Sequence, residues 1–189
     1  MSRLHRLALL HGAFHTASHR TAGFVALPIA DLHDETQFFI VAIMFIGGAS
    51  GSTAGGIKVG TFAVIMASAM SAIRGREHTE LAGREIPRTD IDRALAVTIL
   101  SGLMVFVVAF GLARLEDIEF LPVLFESTSA FATNGLSTGI TPTLDRPALL
   151  LLSATMFIGR LGPLTLVLAL VQRAGREHRR LPEERVRIG

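Results

Sequence analysis

The sequence predicts an all-α membrane protein built from repeated helix–loop–helix units. Three observations predict it. Half of the 189 residues are hydrophobic and the mean hydropathy is +0.49, with the apolar residues gathered in segments near membrane-span length, about 20 residues. The chain repeats itself at an offset of 112 positions, with ten identities and no gap between residues 14 and 57 and their counterparts. One apolar segment is interrupted by a run of glycines. Lipid-exposed irregular backbone is not tolerated at membrane depth, so such a break must be buried in protein or line a watery cavity.

The composition narrows the class further. There is no cysteine, which excludes disulfides and thiolate metal sites. Tryptophan and tyrosine are absent, so the usual aromatic belt is missing. The net charge is only +2, and Lys58 is the single lysine among 18 basic residues. Basic residues precede the first apolar run, but His11 and Gly12 break that run and no A-x-A site follows. A signal peptide is therefore not expected.

Residues 7–18 form a short mixed segment. His11, His15 and His19 recur at i, i+4 and i+8 and would share one helix face. That spacing suits a metal such as zinc, but with no cysteine and no well-placed carboxylate the plainer reading is a short helix that carries histidines. Thr21-Ala22-Gly23-Phe24 reads as a turn, and residues 25–37 as an acidic loop without Lys or Arg. From residue 36 to residue 72 an unbroken helix would run about 55 Å, well beyond a hydrocarbon core of roughly 30 Å. A tilted, broken or protruding helix is expected there. The break is Gly47–Lys58, G-G-A-S-G-S-T-A-G-G-I-K, with five glycines in its first ten residues. Glycine costs about 1 kcal/mol each in a helix interior, so roughly 5 kcal/mol opposes a regular helix.

Residues 74–93 form a polar linker with five arginines and five acids. Residues 91–114 are the cleanest transmembrane candidate, and residues 115–119 a short acidic connection. Residues 120–132 form another short segment, carrying Glu126. Thr133-Asn134-Gly135-Leu136-Ser137 resembles the earlier turn. Residues 147–171 are apolar and of span length, with Arg160 near the middle, and the tail from 172 holds six arginines and three glutamates. The arginine-rich linker and tail place both in the cytoplasm, and the acidic loops outside. A multi-pass protein of the plasma (cell inner) membrane with a cytoplasmic C-terminus is expected.

Each copy of the repeat reads as a short helix, a Thr-x-Gly turn, a polar loop and a long apolar helix, which is the pore-loop pattern. Carbonyl oxygens of such a turn can replace the hydration shell of a potassium ion. Glycine permits the required backbone angles. An arginine at mid-membrane depth faces a watery cavity or a partner, or else snorkels to an interface.

The Thr21–Phe24 turn, the Gly47–Lys58 stretch and the run S-A-F-A-T-N-G-L-S-T-G over 129–139 together resemble the Trk/Ktr/HKT potassium transporters. The resemblance covers nearly the whole chain, and the glycine-rich stretch is its most specific part. It implies helix–pore loop–helix repeats of the potassium-channel type, four around one pore, of which this chain resembles a third repeat lacking its first helix and a complete fourth. The implied units are 1–73, a cytoplasmic linker 74–90, 91–172, and a cytoplasmic tail 173–189. The implied filter comprises Thr21, Ala22, Gly23 and Phe24 with Thr133, Asn134, Gly135 and Leu136. The implied gate comprises Gly47, Gly48, Ser50, Gly51, Ser52, Thr53, Gly55, Gly56 and Lys58, approached by Arg160. The transported ion is potassium, with sodium as a further candidate, and no cofactor, catalytic residue or nucleic-acid partner is expected. Association as a homodimer, a cytoplasmic nucleotide-binding regulatory subunit, and completion of the pore by further repeats or a second chain are also implied. The histidine row matches no motif of the family.

Two rival readings bear on the glycine stretch. Residues 51–58 loosely resemble a phosphate-binding loop, but Ile57 separates Gly56 from Lys58, and Val59 stands where Ser or Thr should be. Gly47, Gly51 and Gly55, with the second row Gly48, Ser52 and Gly56, have the spacing that packs membrane helices closely. An assembly module without conduction, or a pseudogene-like fragment, is the alternative that this spacing supports.

Overall fold

The computed structural model describes residues 12–14, 16, 18, 22–25, 27–49, 51–52, 54–76 and 78–162. His11, His15, His19, Thr21, Ser50, Thr53 and the tail lie outside the described residues. Five helices carry the architecture: α1 Asp34–Phe45, α2 Val59–Ile73, α3 Arg88–Leu115, α4 Phe120–Ala132 and α5 Arg146–Leu161. Gly12, Ala13, Phe14, Thr16 and Ser18 are also helical.

Local chemistry sets the helix ends. α1 begins at Asp34, inside the stretch expected to be loop, because Asp34 and Glu35 occupy its first turn, where carboxylates favour the positive helix end. Gln37 Nε2 donates back to the Leu32 carbonyl at 2.9 Å and ties that turn to the preceding loop. α3 begins at Arg88, three residues before the expected start, with Pro87 as its N-cap, Asp90 in its first turn and Arg114 in its last. α5 has a proline in its first turn, a position where the missing N–H has no helical partner to lose. It ends at Gly162, whose φ is +83° and whose N–H donates to Ile158.

The expected break is present. α1 stops at Phe45, α2 starts at Lys58 as N-cap, and the chain between them is irregular. The linker holds an element the sequence did not predict, an antiparallel hairpin pairing Glu80–Leu81 with Arg84–Glu85. It is the one sheet among the described residues.

α4 lies at the centre. Its residues Phe125, Glu126, Ser127, Thr128, Ser129, Ala130, Phe131 and Ala132 are all buried. On one side it shares a core with Val108, Ala109 and Leu112 of α3 and Ala148 and Leu152 of α5. On the other, Phe125 and Ala132 pack with Ile40, Val41 and Met44 of α1. The polar residues in the middle of α4 need partners at this depth. Ser127 and Thr128 find them on the carbonyls of Val123 and Leu124, at 2.7 and 2.8 Å.

α3 is the one described helix long and apolar enough to cross a membrane. Its residues Ala94, Ser101, Val105, Val108 and Leu112 face the core. Leu95, Ile99, Leu103, Phe106 and Phe110 form an exposed apolar stripe on the other face. An exposed stripe of this extent is out of place against water and suits lipid.

Candidate functional site

The turns at Gly23 and Gly135 meet at the C-terminal end of α4. Thr133 caps α4 in the left-handed conformation, φ 50° and ψ 40°, a costly state for a β-branched residue, roughly 1–2 kcal/mol. The N–H groups of Thr133 and Asn134 close the helix on Ala130 and Ser129, at 3.1 and 2.9 Å. Gly135 follows with φ +88°. In the first copy, the N–H groups of Ala22 and Gly23 both point to the Ser18 carbonyl, at 3.2 and 3.4 Å, and Gly23 has φ +71°. A Cβ on Gly23 would lie 2.6 Å from the Asn134 carbonyl oxygen and 3.6 Å from Gly135 Cα. Only glycine allows the two turns to come this close.

Each turn is tied back to a helical serine at the residue after its glycine. Ser129 Oγ donates to the Leu136 carbonyl at 2.5 Å, and Ser18 Oγ donates to the Phe24 carbonyl. Leu136 is buried, whereas Phe24 is largely exposed.

The glycine-rich stretch is a closed loop. Gly47 N–H donates to the Ile57 carbonyl at 2.7 Å, Ile57 N–H to Phe45 at 3.3 Å, and Val59 N–H to Gly48 at 3.2 Å. Ile46 and Ile57 pair in parallel at its neck. Chain ends held close over a compact excursion are the mark of an Ω-type loop. Its tip, Gly51 and Ser52, is exposed, and its returning limb, Ala54, Gly55 and Ile57, is buried. Ser52 bonds the Ala49 carbonyl through both its N–H and its hydroxyl, and Lys58 Nζ donates to the Ala54 carbonyl. Gly56 has φ +70° and sits against Ala132.

The returning limb docks on the end of α4. Gly55 N–H donates to Thr133 Oγ1 at 3.1 Å. The Phe45 and Phe131 rings stack beside this junction, 6.3 Å apart and 30° between planes. Gly159 of α5 approaches α4 from another side. A Cβ there would collide with the Phe131 carbonyl oxygen. Arg160 follows in the last turn of α5 and is exposed. The structure thus gathers the described residues of both turns, the loop and the Arg160 turn around one helix end. Carbonyls at such an end carry partial negative charge.

Sequence reasoning noted Glu126 and gave it no role. It is buried in α4, and its carboxylate accepts hydrogen bonds from Ser137 Oγ, Thr138 N–H, Thr138 Oγ1 and Thr141 Oγ1. The available signal was a lone carboxylate in an otherwise uncharged 13-residue helix, since a buried charge must be matched by hydrogen bonds or a partner.

Residues 5–176 match the family model described as TrkH, a cation transport protein. The chain is 42% identical over 154 residues to the Ktr system potassium uptake protein B of Bacillus subtilis (strain 168), covering 82% of this chain and 35% of that protein. It is 32% identical over 184 residues to the potassium/sodium uptake protein NtpJ of Enterococcus hirae, covering 93% of this chain and 40% of that one. The crystal structure of the potassium transporter TrkH from Vibrio parahaemolyticus has a similar fold, with a TM-score of 0.65 and 24% identity over 84% of this chain and 36% of that one. The chain therefore spans well under half the length of these relatives. The family model covers most of the sequence, the fold is mostly helical like that of a solved transporter, and the chain belongs to the TrkH family of cation transport proteins, which is not a family of enzymes.

Proposed function

We propose that this chain forms two adjacent quarters of the potassium-conducting pore of a Trk/Ktr-type uptake system. The carrying observation is the contact between the Gly23 and Gly135 turns, which a side chain at Gly23 would prevent by striking the Asn134 carbonyl. In this reading Thr21–Phe24 and Thr133–Leu136 are two segments of a selectivity filter. Carbonyls there replace the hydration shell of the ion, and the C-terminal end of α4 adds a favourable potential for a cation. Residues 1–73 and 91–172 are the two pore units, joined by a cytoplasmic linker over 74–90 and followed by a cytoplasmic tail over 173–189. Further repeats, from the same polypeptide or another chain, close the ring. A homodimer in the plasma membrane and a cytoplasmic nucleotide-binding regulatory subunit complete the system.

Gly47–Gly56, with Lys58 and Arg160, forms the gate. Its support is the docking of Gly55 onto Thr133, two residues before the filter glycine. A loop held by a few hydrogen bonds and lying against the filter can obstruct the path or clear it with modest backbone rotation. In the second copy the described helix continues to Leu161, four residues past Phe157, the counterpart of Phe45 where α1 stops. At the matching positions of α5, Arg160 stands in place of Gly48.

The test is ion flux through the intact assembly carrying Gly135→Ser. At φ +88° a side chain is strained, so the carbonyl ring distorts and potassium-over-sodium discrimination falls by about an order of magnitude, as for the loss of one well-placed ion ligand set. Unchanged discrimination would remove Gly135 from the filter.

A further inference from the structure

Glu126 is 5% exposed and has no place in the filter or gate described above. Its Oε1 accepts from Ser137 Oγ at 2.6 Å, Thr138 N–H at 2.9 Å and Thr138 Oγ1 at 3.2 Å. Its Oε2 accepts from Thr141 Oγ1 at 2.9 Å. A carboxylate offers about four lone-pair sites, so this one is filled almost to capacity by neutral donors from one short stretch of chain. Bonds to an ionised acceptor are about twice as strong as neutral ones. Ser137 Oγ also accepts from Gly139 N–H at 2.9 Å, which draws the rest of the stretch into the same network. One turn further along α4, Ser129 holds the Leu136 carbonyl. Residues 136–141 are thus fastened to α4 at two successive points on one face.

The internal repeat shows what this fastening is for. Subtracting 112 from Glu126, Ser137, Thr138 and Thr141 gives Phe14, Val25, Ala26 and Ile29. Acceptor and side-chain donors are all replaced by apolar residues together. The first copy still brings its glycine turn up against Gly135, with the Ser18 bond to Phe24 in place. A carboxylate clamp is therefore not needed to build the turn. Behind the second turn lies a cavity of about 440 Å³ lined by Glu126, Gly135, Ser137, Thr141, Leu152 and Met156. Residues 135–139 have room to relax into it once the clamp is released.

We propose that Glu126 is a positioning residue that sets ion discrimination by fixing the second turn and its outgoing segment, leaving the first turn as the compliant partner. The proposal rests on the filter reading of Gly135. Glu126 touches no ion. It acts through Ser137, Thr138 and Thr141 on the spacing of the Gly135 and Leu136 backbone.

The experiment measures potassium and sodium flux through the intact assembly for Glu126→Ala, Glu126→Asp and Thr141→Val. Assembly is followed in parallel by size-exclusion chromatography and thermal melting in detergent. Glu126→Ala lowers potassium-over-sodium discrimination about tenfold or more, the equivalent of losing a hydrogen bond to a charged group, in protein that still assembles. Glu126→Asp recovers part of it. Thr141→Val, which removes only the Oε2 partner, gives a smaller loss in the same direction and decides the matter where Glu126→Ala fails to assemble. An assembled Glu126→Ala, or a Thr141→Val, with wild-type discrimination overturns the proposal. Gly135→Ser in the same assay separates the two readings. If it alters discrimination while the Glu126 and Thr141 variants do not, the clamp falls and the filter stands. If none of them does, both fall.

Discussion

Thr133 Oγ1 accepts a hydrogen bond from Gly55 N–H across 3.1 Å, joining positions 78 residues apart in the chain. The acceptor belongs to a strained residue two positions before Gly135, and the donor to the buried limb of the glycine-rich loop. The strained Thr133 backbone and the glycine-rich loop are therefore joined through one bond. A strained backbone persists only where its surroundings hold it in place, and the docked loop is part of those surroundings.

The first prediction follows from that bond. Thr133→Val keeps the β-branched shape and the left-handed strain but deletes the acceptor. A buried N–H without a partner costs about 1–3 kcal/mol, so the loop undocks more readily and basal flux rises about tenfold. Gly55→Ala acts from the other side, because its Cβ would lie 2.7 Å from Thr133 Oγ1 and 2.8 Å from the Ala132 carbonyl oxygen. It raises flux as well, whereas Thr133→Ser, which retains the hydroxyl, stays near wild type. Rubidium uptake in potassium-starved cells reads all three, and equal uptake in the Val and Ser variants would break the coupling.

What the sequence revealed and what it hid divide along physical lines. The break between α1 and α2 was legible because each glycine carries a local helix penalty that no tertiary contact need supply. α3 was legible because a long uncharged apolar run has few other uses. α4 was found at Phe120–Ala132 because acidic residues precede it and a Thr-x-Gly turn follows. The hairpin at Glu80–Glu85 was not legible. Its strand residues are mostly charged, with low β-propensity, and its Ala82-Gly83 turn, φ 51° and 76°, lacks the Asn or Asp that usually marks such turns.

The site was legible in its parts and not in their assembly. Gly23 and Gly135 stood out through the repeat, but their mutual approach depends on how α1 and α4 pack. The Glu126 network spans 11 to 15 residues of sequence, beyond the reach of helical periodicity and outside any short motif. Gly159 was visible as the repeat partner of Gly47. That both lie where a Cβ would strike a carbonyl, of Phe131 and Gly55 respectively, comes only from the fold.

The second prediction concerns the loop as a unit. Deleting residues 49–54 removes the exposed tip together with buried Ala54, whose carbonyl Lys58 holds, and leaves Gly47, Gly48, Gly55 and the residues paired at the neck. Potassium flux rises, because the obstruction is gone while its anchor on Thr133 survives. Arg160→Gln raises flux less, since it removes a charge beside the same helix end and leaves the loop whole. Proteoliposome flux at matched protein density checks both. A silent or unchanged deletion variant would count against a gate at this position.

The third prediction separates packing from gating. A Cβ on Gly159 would lie 2.0 Å from the Phe131 carbonyl oxygen, a backbone atom. That atom cannot yield without moving α5 away from α4, so Gly159→Ala destabilises by about 2–3 kcal/mol, the range for overpacking a close core contact. Gly102 in α3 supplies the opposite case. A Cβ there meets only Phe45 Cζ at 3.9 Å, an ordinary contact, and replacing a helix-interior glycine by alanine gains up to about 1 kcal/mol. Thermal melting in detergent should therefore move the two variants in opposite directions. A Gly159→Ala protein that melts with wild type would mean α5 does not rest on Phe131, and Arg160 would lose the geometry that brings it to the loop's end of α4.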